Sequence, residues 1–184
     1  RMLVTLATRT FTPEPTAAAL RLGALARALA AGGDRVRVLT SRLAPSVASD
    51  ARRLADGGAD AGEGAGLVNV RRAPVLRDRT GAVRGYVSYM SFDLPLLARL
   101  LTGPRPDVVV SEPPPTTGAA VRIACAARRV PYVYYCADIV SDAAALAGVP
   151  SIVVRTVAGL ESFALRGARR VIAVSDGVAR RARD

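Results

Sequence analysis

Six short apolar or alternating runs are separated by stretches of helical period, and this alternation constrains the fold more than any single motif. The runs are Met2–Ala7, Arg35–Thr40 ("RVRVLT"), Leu67–Ala73, Asp107–Ser111, Val130–Cys136 and Val171–Val174. Each has the length of a strand, and several are rich in valine. Helical period fills Ala17–Ala31, Val83–Leu101, a stretch from Thr116 or Thr117 to about Arg129, Ser151–Arg166, and a last helix in "SDGVARRARD" capped by Ser175 or Asp176. A further short helical piece begins at Ser141. Strands that alternate with helices must run parallel, because each crossover returns the chain to the same end of the sheet. The expected fold is α/β: a Rossmann-like, doubly wound parallel sheet with helices on both faces.

Length and composition suit that fold. With 184 residues, 51% of them apolar, the chain is long enough for one domain with a substantial core, and it is not a disordered sequence. Aromatic residues are only 4%, so the packing is expected to be close, between small side chains. In the first helix Leu20, Ala24 and Ala28 make one stripe, widened by Leu25 and Leu29, with Arg21 and Arg27 pointing outward. Gly32 and Gly33 stop it. Residues 44–66, which end in "SDARRLADGGADAGEGAG", are small, polar and glycine-rich, and read as a mobile surface loop. Pro95 is expected to kink the Val83–Leu101 helix or to start a new one.

The charge is +11, carried entirely by arginine. An all-arginine, alanine-rich composition matches a GC-rich coding bias, but a charge of this size still favours anionic partners. There is no histidine, which removes a Ser-His-Asp triad, a histidine general base and a histidine zinc site. Cys125 and Cys136 have no metal or redox spacing and read as two buried, reduced thiols. No apolar run reaches the ~18 residues that span a bilayer, and no signal peptide is visible.

In a doubly wound sheet, ligands bind beyond the carboxyl ends of the strands. The informative loops are therefore Thr8–Thr16, Ser111–Thr117, Ala137–Asp142 and Ser175–Gly177. The first, with "TFTPEPTAAALR", has neither a dinucleotide fingerprint nor a P-loop. Thr16 is a natural N-cap, Arg21 follows just over one turn later, and helix-start amides can bind an anion without glycine. Pro13 and Pro15 can simply stiffen the loop, a reading that leaves Glu14 unexplained. In "SEPPPTTGAA", Glu112 and three prolines form a stiff rim that delays helix entry until Thr116. Asp138, just past a strand end, can accept a sugar hydroxyl or act as a base. Asp142 suits a helix dipole.

The order of these loops resembles the amino-terminal half of GT-B glycosyltransferases of the large retaining family 4. "TPEPTAAALRLGALARALAAGGDRVRVLTS" is similar to that family's opening, with Asp34 and Arg35 departing from the central pair of its Gly-His-Glu-Val. "PDVVVSEPPPTTGAA" resembles its Asp-Val-Ile…Ser-Pro-Pro…Gly segment. "VPYVYYCADIVSD" resembles its Pro-Phe…Asp-Leu-Trp-Pro-Glu, with Asp138 matching the aspartate but Ile139, Val140 and Ser141 replacing Leu-Trp-Pro. "ESFALRGARRVIAVSDGVARRARD" resembles the segment that closes the domain. Nearly the whole chain is covered.

The resemblance implies a domain on the acceptor side of a cleft, with a carboxyl-terminal donor-binding domain expected to follow Asp184. The whole enzyme would move a sugar from a nucleoside diphosphate sugar to a hydroxyl acceptor with retained configuration, without a metal or other cofactor. The closest flavour is the group that makes surface polysaccharides from amino- or deoxy-sugar donors. Asp138 would lie at the reacting sugar or the acceptor. Pro13, Glu14, Pro15 and Thr16 would face the donor diphosphate, with Arg21, Glu112, Thr116 and Ser175 as further substrate contacts. Some relatives reach lipid-linked acceptors through an apolar-basic face, and Arg84 and Arg99 flank an apolar helix here. The location implied is the cytoplasm, with or without peripheral membrane contact. Two rivals stay open: a nucleotide- or dinucleotide-binding Rossmann enzyme, and a basic nucleic-acid-binding module. The first lacks a glycine fingerprint and an acidic ribose reader, and the second has scattered arginines with no recognition motif.

Overall fold

The computed structural model describes residues 1–56, 65–78, 86–137, 139–141, 148 and 150–182. The chain divides into two units, Arg1–Phe92 and Asp93–Asp184.

In the first unit, β1 (Leu3–Ala7) pairs in parallel with β2 (Arg35–Ser41), and β2 pairs in parallel with β3 (Val68–Ala73). The register sets Val4 beside Val36 and Leu6 beside Val38, all buried. Helix α1 (Ala17–Ala31) is the crossover from β1 to β2. Its first turn is capped by Thr16, whose Oγ1 accepts from the Ala19 amide at 3.1 Å, and Gly33 beyond its end takes φ +87°.

In the second unit, β4 (Val108–Ser111), β5 (Tyr132–Cys136) and β6 (Arg170–Ala173) are again parallel neighbours. Helix α4 (Pro115–Arg128) crosses from β4 to β5, and α5 (Ser151–Gly167) leads into β6. A short α6 (Asp176–Arg181) follows, capped by Ser175. The half-orders 3-2-1 and 4-5-6 are those of the doubly wound sheet that the alternation predicts.

Three local expectations need correction, and a fourth, at Pro95, is narrowed to a single helix. The buried face of α1 is Ala19, Leu22, Gly23, Ala26 and Ala30, while Leu20 is 65% exposed. Leucine and alanine surround this helix, so period alone does not choose a face; close approach does, and a Cβ on Gly23 would lie 2.6 Å from Thr12 Cγ2. The segment expected as a loop from residue 44 begins with a helix, α2 (Pro45–Asp56). Proline is suited to its first turn, and the Ala, Arg and Leu that follow are good helix formers. The glycines start only at Gly57, and 57–64 lie outside the described residues.

Helix α3 (Tyr86–Thr102) continues through Pro95 as one element. The lost hydrogen bond and ring clash cost about 3 kcal/mol, whereas burying Phe92, Leu96 and Leu100 on the same helix returns about 2 kcal/mol each. All three are 2% exposed, while Val87 and Leu94 on the same helix are exposed. Finally, neither Thr116 nor Thr117 caps α4. Pro114 holds the cap position and Pro115 opens the helix, one residue earlier than expected. A proline there forgoes only an N–H that has no intrahelical partner in any case. Thr117 instead donates to Asp93 Oδ1 at 2.6 Å, inside the protein.

Candidate functional site

Each unit has its own cluster at the carboxyl ends of its strands, and each cluster is built from loop residues tied to a neighbouring strand or helix.

In the first unit the β1–α1 loop is held by a hydroxyl-rich set of contacts. Thr8 Oγ1 donates to the Thr10 carbonyl at 2.8 Å, and Thr40 Oγ1 and Ser41 Oγ donate to the Arg9 carbonyl at 3.2 and 2.7 Å. The loop contains a cis Thr12–Pro13 bond. Arg72, from the end of β3, reaches across: its Nη2 donates to the Thr12 carbonyl at 2.6 Å and its Nη1 to the Ser41 carbonyl at 3.0 Å. Arg77 donates to the Arg42 carbonyl and, at 3.4 Å, to Ser41 Oγ.

Glu14 sits within this set. It is 9% exposed and forms an ion pair with Arg72 at 3.9 Å. Burial raises its carboxyl above the usual range, opposed by the charges of Arg77 and Arg72 and by a backbone hydrogen bond at Phe11. Burial likewise lowers Arg72, with Glu14 opposing. The loop's carboxylate therefore sits in the field of two arginines, paired with Arg72, while its covered Oε1 has no hydrogen-bond partner among the described residues. Pro13 and Pro15 flank it and are both exposed, and Thr16 caps α1. Arg21 is exposed on α1. Arg9, the second residue past β1, lays its guanidinium over the Tyr89 ring, 4.1 Å from the centroid.

In the second unit the β4–α4 turn buries Glu112, which is 6% exposed, beside a cis Pro113–Pro114 bond. Thr116 Oγ1 and Ser111 Oγ are covered and have no hydrogen-bond partner among the described residues. The loop after β5 is held by Glu161 of α5, which is 3% exposed. Its Oε1 accepts from the Val140 amide at 2.8 Å, and its Oε2 accepts from the Ser141 amide at 3.2 Å and from Ser141 Oγ at 2.6 Å. This carboxylate does the work of a helix cap from a distance, with charge-assisted bonds. Asp138, in the same loop, and Asp142 lie outside the described residues. Ser175 Oγ accepts from the Val178 amide at 3.3 Å, so its hydroxyl serves α6.

Pro13, Glu14, Pro15 and Thr16 thus share one loop in the first unit, whereas Glu112, Thr116 and Ser175 belong to the second. Sequence reasoning missed Arg9, Arg72, Arg77, Tyr89 and Glu161. An arginine in an arginine-rich chain carries no local signal, and only the pairing of β2 with β3 brings Arg72 under Glu14. Among the described residues no group of three or more His, Cys, Asp or Glu is arranged to hold a metal ion.

No functionally curated protein sequence matches the chain. Solved structures do. UGT89C1 of Arabidopsis thaliana complexed with UDP-L-rhamnose is 12% identical with a TM-score of 0.57, over 95% of this chain and 45% of its own. A putative UDP-N-acetylglucosamine 2-epimerase from Listeria monocytogenes is 11% identical with a TM-score of 0.56, over 99% of this chain and 42% of its own. At such identity these likenesses establish the fold alone: this chain has the Rossmann-like α/β fold of a portion of each. It spans less than half the length of either protein. The family model for the glycosyl transferase 4-like domain matches residues 16–184, from the Thr16 cap onward. The match takes in most of the chain, including every strand-end loop of the second unit, and the chain therefore belongs to the glycosyl transferase 4-like domain family.

Proposed function

We propose that this chain is the amino-terminal, acceptor-side half of a retaining glycosyltransferase that moves a sugar from a nucleoside diphosphate donor to a hydroxyl acceptor. The observation that carries the reading is the family match over residues 16–184 of a Rossmann-like fold that spans 45% of a structure solved with UDP-L-rhamnose. A second domain would hold most of the donor. The reaction would then need both walls of a cleft, and this chain alone would be inactive.

In this reading the first loop supports the donor diphosphate through the amides at the start of α1, where the helix dipole favours negative charge. Glu14 shapes that loop, a role that its burial and its ion pair with Arg72 support. The β5 loop, fastened by Glu161, carries Asp138 toward the acceptor hydroxyl or the transferred sugar. Glu112, Thr116 and Ser175 line the acceptor side. Charge stabilisation comes from arginine and amide groups, so no metal or cofactor is required.

The wider setting follows from the same resemblance: bacterial surface polysaccharide or glycoconjugate synthesis on the cytoplasmic face, with a lipid-linked acceptor. No helix among the described residues is long and apolar enough to cross a membrane. Val87 (70% exposed) and Leu94 (57%), seven residues apart on α3, give an apolar strip for peripheral contact, and Arg99 lies in the helix's last turn.

The test is to assay this chain alone and the protein read through the codons that follow it, with UDP- and GDP-sugars and polyprenyl-phosphate-linked or free acceptors. Nucleoside diphosphate release and an NMR assignment of product anomer are the readouts. Retained configuration from the longer protein and no turnover from the chain alone are expected. Inversion, free epimerised nucleotide sugar, or robust transfer by the chain alone would overturn the reading.

A further inference from the structure

We propose that a surface pocket at the amino end of β4 and β5 binds a phosphoryl group. The pocket has a volume of about 190 Å³ and is lined by Arg105, Pro106, Asp107, Arg129, Val130 and Pro131. Three of these residues lead into β4 and three lie between α4 and β5, so the pocket sits at the opposite end of these strands from the loops of the proposed acceptor side. Arg105, Asp107, Arg129 and Pro131 are exposed, which leaves the wall open to a ligand from solvent.

Arg129 carries the inference. It holds φ +51° and ψ +48°, and among the described residues it is the one residue other than glycine with positive φ. The left-handed position that ends a helix ordinarily falls to glycine, because a Cβ there is strained. A long charged side chain kept at such a position points to a use for that side chain. Its guanidinium makes no hydrogen bond or ion pair within the described residues.

The rest of the wall is stiff. Arg105 Nη2 donates to the Arg129 carbonyl at 2.9 Å, which ties the two arginines together. Pro106 and Pro131 fix their own backbone, and the Pro131 carbonyl accepts from the Val109 amide at 3.2 Å. A preformed wall lowers the ordering cost of binding, and guanidinium forks match phosphate oxygens. Arg169 and Arg170 open the parallel neighbour β6 at the same end and add positive potential. Asp107 gives the pocket a selective element. A phosphate monoester has its second pKa at about 6, so near that pH it retains a proton that a carboxylate can accept. Sulfate has none to offer. The phosphoryl group can be free phosphate or part of a nucleotide, and its binding here does not depend on sugar transfer.

The experiment is calorimetric titration of the chain with inorganic phosphate, AMP and sulfate at pH 6. Phosphate or AMP should bind, and sulfate should bind more weakly. Arg129→Gly and Arg105→Gln should each weaken binding about tenfold or more, the scale of one lost charge-assisted hydrogen bond. Arg155→Gln, exposed on α5, is the control and should bind as the wild type does. Arg129→Gly should also raise Tm by about 2 °C, because glycine relieves the left-handed strain. A gain in stability joined to a loss of binding separates a ligand contact from a merely structural arginine. Equal affinity for phosphate and AMP assigns the site to the free ion, and tighter AMP assigns it to a nucleotide; both support it. No binding of phosphate or AMP, sulfate binding as tightly, or undiminished binding by Arg129→Gly overturns it. Should a variant fail to fold, NMR of the wild-type chain decides: the Arg129 and Val130 amide resonances must shift on adding phosphate, and static resonances overturn the site.

Discussion

Gly118 should resist replacement by alanine, although it is the fourth residue of helix α4 (Pro115–Arg128), where alanine is normally preferred. A methyl group at Gly118 of α4 would meet Tyr134 Cε2 at 2.6 Å and Ala164 Cβ at 2.7 Å. Neither neighbour can retreat easily. Tyr134 and Ala164 are both 0% exposed, and the Ala164 Cβ is attached directly to the backbone of α5. Helix propensity favours Gly118→Ala by about 0.5–1 kcal/mol. Overpacking against two fixed groups costs about 1–3 kcal/mol, and contacts this short fall at the upper end. The net expectation is a loss of about 1–2 kcal/mol, or about 3–6 °C in Tm for a chain of this size.

Gly159→Ala supplies the opposite sign. It lies exposed in α5 with nothing within 4 Å of its Cβ position, so only the propensity gain remains. It should raise Tm by about 1–3 °C. Thermal melts followed by far-UV circular dichroism on both variants would decide. If Gly118→Ala matched or exceeded the wild type, the α4–α5 seam would not be packed as described.

Three further outcomes follow. Because burial raises the Glu14 carboxyl in the folded chain, the native state holds its proton to higher pH than the unfolded chain does, and this group's contribution to stability falls as pH rises through that window. The stability of Glu14→Gln relative to wild type should therefore improve from pH 4 to pH 7, and a difference in urea midpoints that moves the other way would contradict the burial argument. Glu161→Ala strips the acceptor from two amides and a hydroxyl of the β5 loop, and should cost about 2 kcal/mol in urea unfolding with faster amide exchange at Val140 and Ser141. Unchanged exchange would mean that the carboxylate does not hold the loop. Burial pushes the Cys125 thiol up to about 12, so it should react with a disulfide reagent at pH 8 only after denaturation; prompt native labelling of Cys125 would refute this.

The legible parts of this chain are those governed by local rules. The α1 boundaries, the Thr16 and Ser175 caps, and the strand–helix alternation were readable because capping, glycine stops and valine-rich runs act within a few residues. The helix at Pro45–Asp56 was hidden by the glycines that follow it, which coloured the reading of the whole segment. Threonine is a better general cap than proline, so the sequence points to Thr116 or Thr117, while the chain uses Pro115 in the first turn of α4 and sends Thr117 to Asp93.

Local rules in the sequence are enough for the class of fold and for the strand-end loops, because alternating strands and helices leave one end of a parallel sheet lined by loops whatever the side chains are. What surrounds each side chain in those loops depends on packing between distant segments. Glu14 carries the same residue name whether it faces solvent or two arginines, and what separates the cases is desolvation and the reach of Arg72 from β3. Arg9 was one arginine among 26 cationic residues until folding set its guanidinium on Tyr89 with two nitrogens unpaired. Charges act through space and dielectric, and neither is written in the order of the residues.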